Sequence, residues 1–204
     1  MISPTLKIAL LSGLHHGSGF GLSGLVDRAV LRDSDGIPYF AASAIKGKLR
    51  HNALRVLLSG GSPACHTGDG PSWCDDAAPC CLCSAFGSPR LEGALLFCDA
   101  YPFGETSQLL AELAELSHAN SLYRDSSIRA RTSIDRKLGT ARPRLLYTTE
   151  VLPEFLVFTA RIHGDVMPHL SLLQKACTLT THIGADGARG LGRCKIQLVD
   201  GESL

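Results

Sequence analysis

Between residues 43 and 58 the chain has no acidic side chain and no proline, and its apolar residues recur at helical spacing. Ile45, Leu49, Ala53 and Val56 share one face, with Leu54, Leu57 and Leu58 beside them. A stripe of this kind must be buried against another layer, so the rest of the chain is obliged to build one. Lys46, Lys48, Arg50 and Arg55 take up the remaining surface. Ser43 is expected to cap the helix, because its hydroxyl can accept from the first unpaired backbone N–H groups. A helix start that offers N–H groups, a hydroxyl and a lysine suits a phosphate. Ahead of it, an extended segment carries Asp27 and ends in the turn Asp33-Ser34-Asp35-Gly36.

The second layer reads as strands. Residues 6–14 form an apolar run bounded by polar and glycine signals, expected to be central and buried. Residues 94–100 read as a strand ending at Asp99, whose carboxylate is expected in a turn or cap. Residues 145–162 alternate and then become apolar, as strands, and residues 194–199 close the chain as another. Residues 108–119 predict a modest helix with Glu112 and Glu115 outward. Residues 168–182 predict a second amphipathic helix, with Pro168 in its first turn and Gly184 at C′. Strand, helix, strands, helix, strand is the βαββαβ order of an α+β, ferredoxin-like fold. Two insertions interrupt it, at residues 59–90 and 121–150.

The net charge of +1 argues against an indiscriminate nucleic-acid binder, yet the charge is unevenly spread. Arg129, Arg131, Arg136, Lys137, Arg142 and Arg144 stand against a single acid, Asp135, in a segment expected to be a long exposed hairpin or loop. The 59–90 insertion is too poor in apolar residues to fold alone. It carries Cys65-His66, Cys74, Cys80 and Cys83, and the C-x-x-C spacing of Cys80 and Cys83 lets two thiolates reach one tetrahedral ion. Cys74 and either Cys65 or His66 complete four ligands, and Cys81 is a further candidate. A closed set of four describes structural zinc, which would supply the folding energy of this segment. Cys98, Cys177 and Cys194 lie in apolar runs and are expected in the core. No signal peptide or membrane-length run is evident, so a reducing, cytoplasmic setting is expected, with no membrane partner.

Two glycine-rich stretches remain. Gly19, Gly21 and Gly24 fit G-x-G-x-x-G, but the turn at 33–36 and Pro38 leave little room for the helix a dinucleotide fold needs there, and no acid follows at the ribose-binding distance. His15 and His16 in the same loop read as exposed polar residues that could face a substrate. Residues 184–193 combine Gly187, Gly190 and Gly192 with Arg189 and Arg193 just before the last strand, the composition of an anion-binding nest.

Taken in order, these motifs resemble the RAMP superfamily, specifically the repeated backbone subunit of type III CRISPR effector complexes. Ser23-Gly-Leu-Val-Asp27-x5-Asp33 followed by Gly36-Ile-Pro-Tyr-x3-Ser43-Ala-Ile-Lys46-Gly-Lys-Leu-Arg50 is similar to its signature, with Ala41, Ala42 and Ala44 where the family has Pro, Gly and Ser. Cys80-x-x-Cys83-x-x-Phe86-Gly87-Ser88 with Asp99 resembles its zinc-bearing segment. Arg131-Thr-Ser-Ile-Asp135-Arg136 with Glu150-Val-Leu-Pro153 resembles its thumb, and Gly187-x-x-Gly190-x-Gly192-Arg193 its glycine-rich loop.

The resemblance implies a single domain over residues 1–204: an RRM-like palm, a zinc-binding insertion (59–90), a thumb hairpin (121–150) and a glycine-rich loop (184–193). It implies copies stacked as a filament on a guide RNA (crRNA), alongside other effector subunits, holding a guide–target RNA duplex. Lys46, Arg50, Arg189 and Arg193 would contact guide phosphates, with Ser43, Gly187, Gly190 and Gly192 also in the RNA-binding set, and Arg131 and Arg136 would support the thumb's contacts with the duplex. Asp27 matches the catalytic aspartate for target-RNA cleavage with Mg²⁺. One carboxylate is a thin active site, so a purely structural subunit served by a separate nuclease is the alternative. A stand-alone, metal-independent repeat-RNA endonuclease using His15 or His16 is a further one.

Overall fold

The computed structural model describes residues 4–21, 26–62, 65, 74, 78–117 and 125–200. Strand β1 (Pro4–Leu10) lies at the centre of the main sheet. It pairs antiparallel with β6 (Val157–Gly164) on one side and with β7 (Cys194–Asp200) on the other. The far edge of β6 carries β2 (Leu95–Phe97) and then β3 (Tyr101–Pro102), which gives the path β2-β6-β1-β7. Every strand pairing in this sheet is antiparallel, so the fold is a mixed α/β one built on antiparallel sheet.

Register explains the core. Leu6 faces Ala160 and Leu198 across the ladders, and Ile8 faces Phe158 and Ile196. Leu6, Ile8 and Leu10 alternate with the half-buried Lys7 and Ala9, so one face of β1 is fully dry and the other is not. The apolar run expected over 6–14 is thus an alternating strand that ends at Leu10, with Leu14 in a separate bridge to Leu152. The dry face packs against α1 (Ala42–Ser59) and α4 (Leu170–Leu179). Ile45, Leu49 and Ala53 from one and Leu172, Leu173, Ala176 and Cys177 from the other enter a single cluster with it. Cys194 is also buried, and Cys98 half-buried. Asn52 is the polar link between the helices; its amide donates to Thr180 Oγ1 at 2.7 Å. The helix expected over 108–119 spans Glu105–Ser117 (α3), and a short α2 (Cys81–Phe86) lies in the cysteine insertion.

Two helix boundaries differ from expectation. Helix α1 begins at Ala42 with Ala41 as its N-cap, not Ser43. The reason is Asp99, beyond the end of β2, whose Oδ1 accepts from the Ala42 N–H at 2.6 Å. A carboxylate delivered across the fold makes a local capping hydroxyl unnecessary and satisfies the positive end of the helix dipole. Helix α4 ends at Leu179, because Thr180 turns into an extended conformation, so Gly184 is not its C′ residue. Gly184 is required instead because its backbone passes the His15 carbonyl so closely that a Cβ would lie 2.6 Å from that oxygen.

The basic segment is a hairpin, as expected. β4 (Ser127–Ile134) and β5 (Ala141–Val151) form their own two-stranded sheet with an irregularity between Thr132 and Ile134. At its tip Asp135 Oδ1 accepts from the Lys137 and Leu138 N–H groups and fixes the turn. At its base Glu150 is 1% exposed. Arg32 reaches it through Nη2 to Oε1 at 2.7 Å and grips Asp125 bidentately at 2.7 and 2.8 Å. Ser126 and the Val30 N–H donate to the same Glu150 carboxylate. A buried ion triad of this kind tolerates the loss of no member, because the remaining charges lose their compensation. Replacing Arg32 by Ala should cost about 3–5 kcal/mol in urea unfolding. Arg32→Lys should recover little of it, since an ammonium cannot reproduce the fork.

Candidate functional site

A cleft of about 710 Å³ opens where four segments meet: the 15–20 loop, residues 27–29, the first turns of α1, and residues 183–185. Helical periodicity turns Ser43, Ala44, Gly47, Lys48 and His51 into it. Lys46 and Arg50 lie one residue round the helix and line a second cleft, of about 470 Å³, with the 86–93 segment. The basic face of α1 is thus divided between two openings. Arg50 Nη2 is buried there with no acceptor among the described residues.

Asp27 stands at the first cleft as an exposed carboxylate on a fixed mount. Thr148, in β5, donates its N–H (2.6 Å) and its hydroxyl (2.9 Å) to Oδ2 and accepts the Asp27 N–H at 3.0 Å. The Thr148 N–H, aided by its hydroxyl, holds the Asp27 carboxyl below the usual carboxylate range, so it is ionised at neutral pH. Next to it, Arg28 donates to Asp186 Oδ2 at 3.3 Å. Arg131 from the hairpin donates to the same oxygen at 2.8 Å, and Arg189 lies 3.6 Å from Oδ1 while donating to the Tyr147 hydroxyl at 2.8 Å. Asp186 adopts a left-handed conformation (φ 60°), which Asp tolerates better than most residues.

Within the glycine-rich loop, Gly187 begins a single helical turn ending at Arg189, and Gly190 is left-handed. Gly192 packs against residue 183 so closely that any Cβ would collide with the Ile183 carbonyl. Arg193 is exposed, with its N–H on Ser12 Oγ. Arg136 is exposed at the hairpin tip. The structure therefore gathers Asp27, Ser43, Arg131 and Arg189 near one cleft and places Lys46 and Arg50 at another. Arg28, His51, Thr148 and Asp186 are not singled out by the sequence, and Lys48 is marked there only as part of the basic face of α1. For Asp186 the signal was available, as it is the only acid among residues 184–193.

The histidine pair is not the exposed pair expected. His15 is 1% exposed and donates from Nδ1 to the Glu150 carbonyl at 2.8 Å. His16 Nε2 accepts the Ala41 N–H at 3.4 Å and its ring packs on Phe40. Burial lowers both pKa values, with the neighbouring His15 adding to the effect on His16, so both rings are neutral supports of the loop.

Cys65, Cys74, Cys80 and Cys83 bring their sulfurs within 4.8 Å of one another, a group that could hold a metal ion. Cys65 Sγ lies 3.0 Å from Cys83 Sγ and 3.8 Å from Cys80 Sγ, and Cys74 Sγ accepts the Cys80 N–H at 3.4 Å. Against the effect of burial, backbone N–H groups and neighbouring thiols bring Cys80 down to about 6, a thiolate at neutral pH, while burial pushes Cys83 up. Cys81 is exposed and outside the group, and His66 lies outside the described residues.

The lowered histidine pKa values have a sign that can be checked. The unfolded chain binds protons at His15 and His16 below about pH 6.5, where the folded chain does not. Stability should therefore fall as pH drops through that window, and urea midpoints should be lower at about pH 5.5 than at neutral pH. His16→Gln, which keeps a side chain able to accept from Ala41, should flatten that dependence.

Comparison with known proteins is consistent with this geometry. The family model described as the RAMP superfamily matches residues 7–195. No curated protein matches the chain by sequence. Among solved structures, the chain is similar to one in the apo state of a type III-B Cmr-beta complex, with TM-score 0.64, 13% identity and 98% of each chain covered. It is similar to one in the same kind of complex bound to cognate target RNA, with TM-score 0.63, 13% identity and 97% of each chain covered. A chain of a type IV-B CRISPR complex matches at TM-score 0.60 and 16% identity, with 100% of this chain and 92% of that one covered. A family match over nearly the whole length, on a fold shared end to end with such chains, means that this protein belongs to the RAMP superfamily.

Proposed function

We propose that this chain is a backbone subunit of a CRISPR effector complex, bound in repeated copies along a guide RNA and holding the guide–target duplex. The observation that carries this reading is that Asp27, the start of α1 and residues 184–185 of the glycine-rich loop line one cleft, with the basic hairpin joined to them through Thr148 on Asp27 and Arg131 on Asp186. The fold shared with chains of RNA-bound effector complexes supports it. The strand order β2-β6-β1-β7 with α1 and α4 packed on one face supports a ferredoxin-like, RRM-like palm. The β4–β5 hairpin is then the thumb: its basic residues meet RNA backbone, and its exposed Ile134, Leu138 and Leu146 meet bases. Arg189 and Arg193, in the glycine-rich loop, serve guide phosphates; Lys46 and Arg50 serve phosphates at the second cleft, where the buried Arg50 Nη2 has no acceptor among the described residues. Among the described residues, no helix is long and apolar enough to cross a membrane.

Asp27 is the catalytic candidate. It is exposed, ionised and held by the strand that forms the thumb's base, which suits a ligand for a divalent metal shared with RNA phosphate oxygens. Such a metal supplies Lewis-acid assistance to attack on the phosphodiester. It is also the only carboxylate lining the cleft among the described residues, and that observation favours the second reading, a guide-binding scaffold served by a separate nuclease. Target-RNA cleavage by the assembled complex with Mg²⁺ decides between them. Regularly spaced cuts that vanish in Asp27→Ala identify this chain as the nuclease, and cuts that persist identify it as scaffold.

The four cysteines are best filled by structural zinc. Tetrahedral Zn–S bonds of about 2.3 Å place sulfurs about 3.8 Å apart, close to the spacing of Cys65 and Cys80. Metal analysis should return one zinc per chain. Strong chelators, or Cys83→Ser, should lower the melting temperature and expose the 65–83 segment to protease.

A further inference from the structure

Asp186 is surrounded by more positive charge than it can neutralise. Arg28, Arg131 and Arg189 come from the segment after Asp27, the hairpin and the glycine-rich loop, and all three guanidinium groups lie within 3.6 Å of one carboxylate. Three cations on one anion leave an excess of two charges. Their side chains are 37%, 16% and 55% exposed, so the excess is only partly screened by water. Each guanidinium has five N–H donors. The described residues use one on Arg28, one on Arg131 and, on Arg189, the Nη1 shared between Tyr147 and Asp186. Arg28 lines the cleft together with Asp27, and Asp186 ties Arg131 and Arg189 to Arg28.

A carboxylate has acceptor sites for more than one arginine, but a single negative charge cannot balance three guanidinium groups. Three guanidinium forks with unspent donors match the geometry by which arginine takes up a phosphate, two parallel N–H donors at a time. We infer that Asp186 is a positioning residue that gathers Arg28, Arg131 and Arg189 into one preassembled seat for a single RNA phosphodiester beside Asp27. This rests on the RNA-binding reading above and adds to it the shared phosphate, Arg28 and the organising acid. Because the three arginines belong to separate parts of the chain, the bound phosphate also ties hairpin to loop.

The test is binding of the full-length, metal-loaded chain to a generic single-stranded oligoribonucleotide by fluorescence anisotropy, over about 50–200 mM salt. If the arginines share one phosphate, the triple variant R28Q/R131Q/R189Q lowers the slope of log K against log salt by about 0.7, one phosphate's worth for a single strand. Each single variant then accounts for most of the loss, and the losses are not additive. Asp186→Asn keeps a residue that accepts the left-handed conformation and adds a net positive charge. A merely electrostatic surface would then bind RNA more tightly, whereas the seat predicts binding weaker by about tenfold, the scale of one charge-assisted contact. Tighter binding by Asp186→Asn overturns the proposal. So does an unchanged slope in the triple variant, or a slope reduced by about 2 with additive singles, which would mean three separate phosphates. If the wild-type chain binds no RNA, the guide-binding reading falls and the seat with it. If wild type binds and only these variants behave like wild type, the seat alone falls.

Discussion

One buried guanidinium, that of Arg32, ties the base of the hairpin to the segment that leads into α1. Arg32 lies in the segment that leads from the cleft to α1; of its partners, Asp125 just precedes the hairpin and Glu150 lies at the base of β5. With side chains 7%, 7% and 2% exposed, the three charges are out of water and cannot be relaxed by solvent. Glu150 extends the constraint, since its second oxygen takes the Val30 N–H and its backbone carbonyl takes His15 Nδ1. The loop with the histidines, the segment with Asp27 and the base of the hairpin are therefore tied into one network.

A similar economy governs the start of α1. The helix N-terminus, a natural anion site, is already served by Asp99. The cations on the helix body are what remain for an outside ligand, and the 3.6-residue period sends Ser43, Lys48 and His51 to one side and Lys46 and Arg50 to the other.

Local signals were legible in the sequence: the α1 stripe, the closing strand 194–199, the basic hairpin, and a cysteine group whose C-x-x-C spacing survives in the sulfur distances. The alternation of strands and helices marked the chain as a mixed α/β fold, which the antiparallel sheet and its packed helices bear out. What was not legible depends on contacts between distant residues. Arg32 and Glu150 are separated by 118 positions, and nothing local to either marks it as a partner of the other. Asp99 displaced Ser43 as the cap from 57 positions away. His15 and His16 look like loop residues until residue 184 and the hairpin close over them. At Asp27 the residue was legible while its mount, Thr148, was not, since a threonine in a strand carries no functional signal of its own.

The mount has a mechanical meaning. Thr148 grips Asp27 by three hydrogen bonds and belongs to the same strand as Leu146 and Tyr147, further toward the tip. The hairpin pairs only with itself along most of its length, and its buried end is clamped at Glu150. It is a lever with its fulcrum at the clamp, and the carboxylate rides on the lever a short way out from that fulcrum. Whatever load bears on the long arm is delivered to Asp27 at reduced amplitude, so the exposed tip can follow an uneven surface while the carboxylate moves by a fraction of that travel.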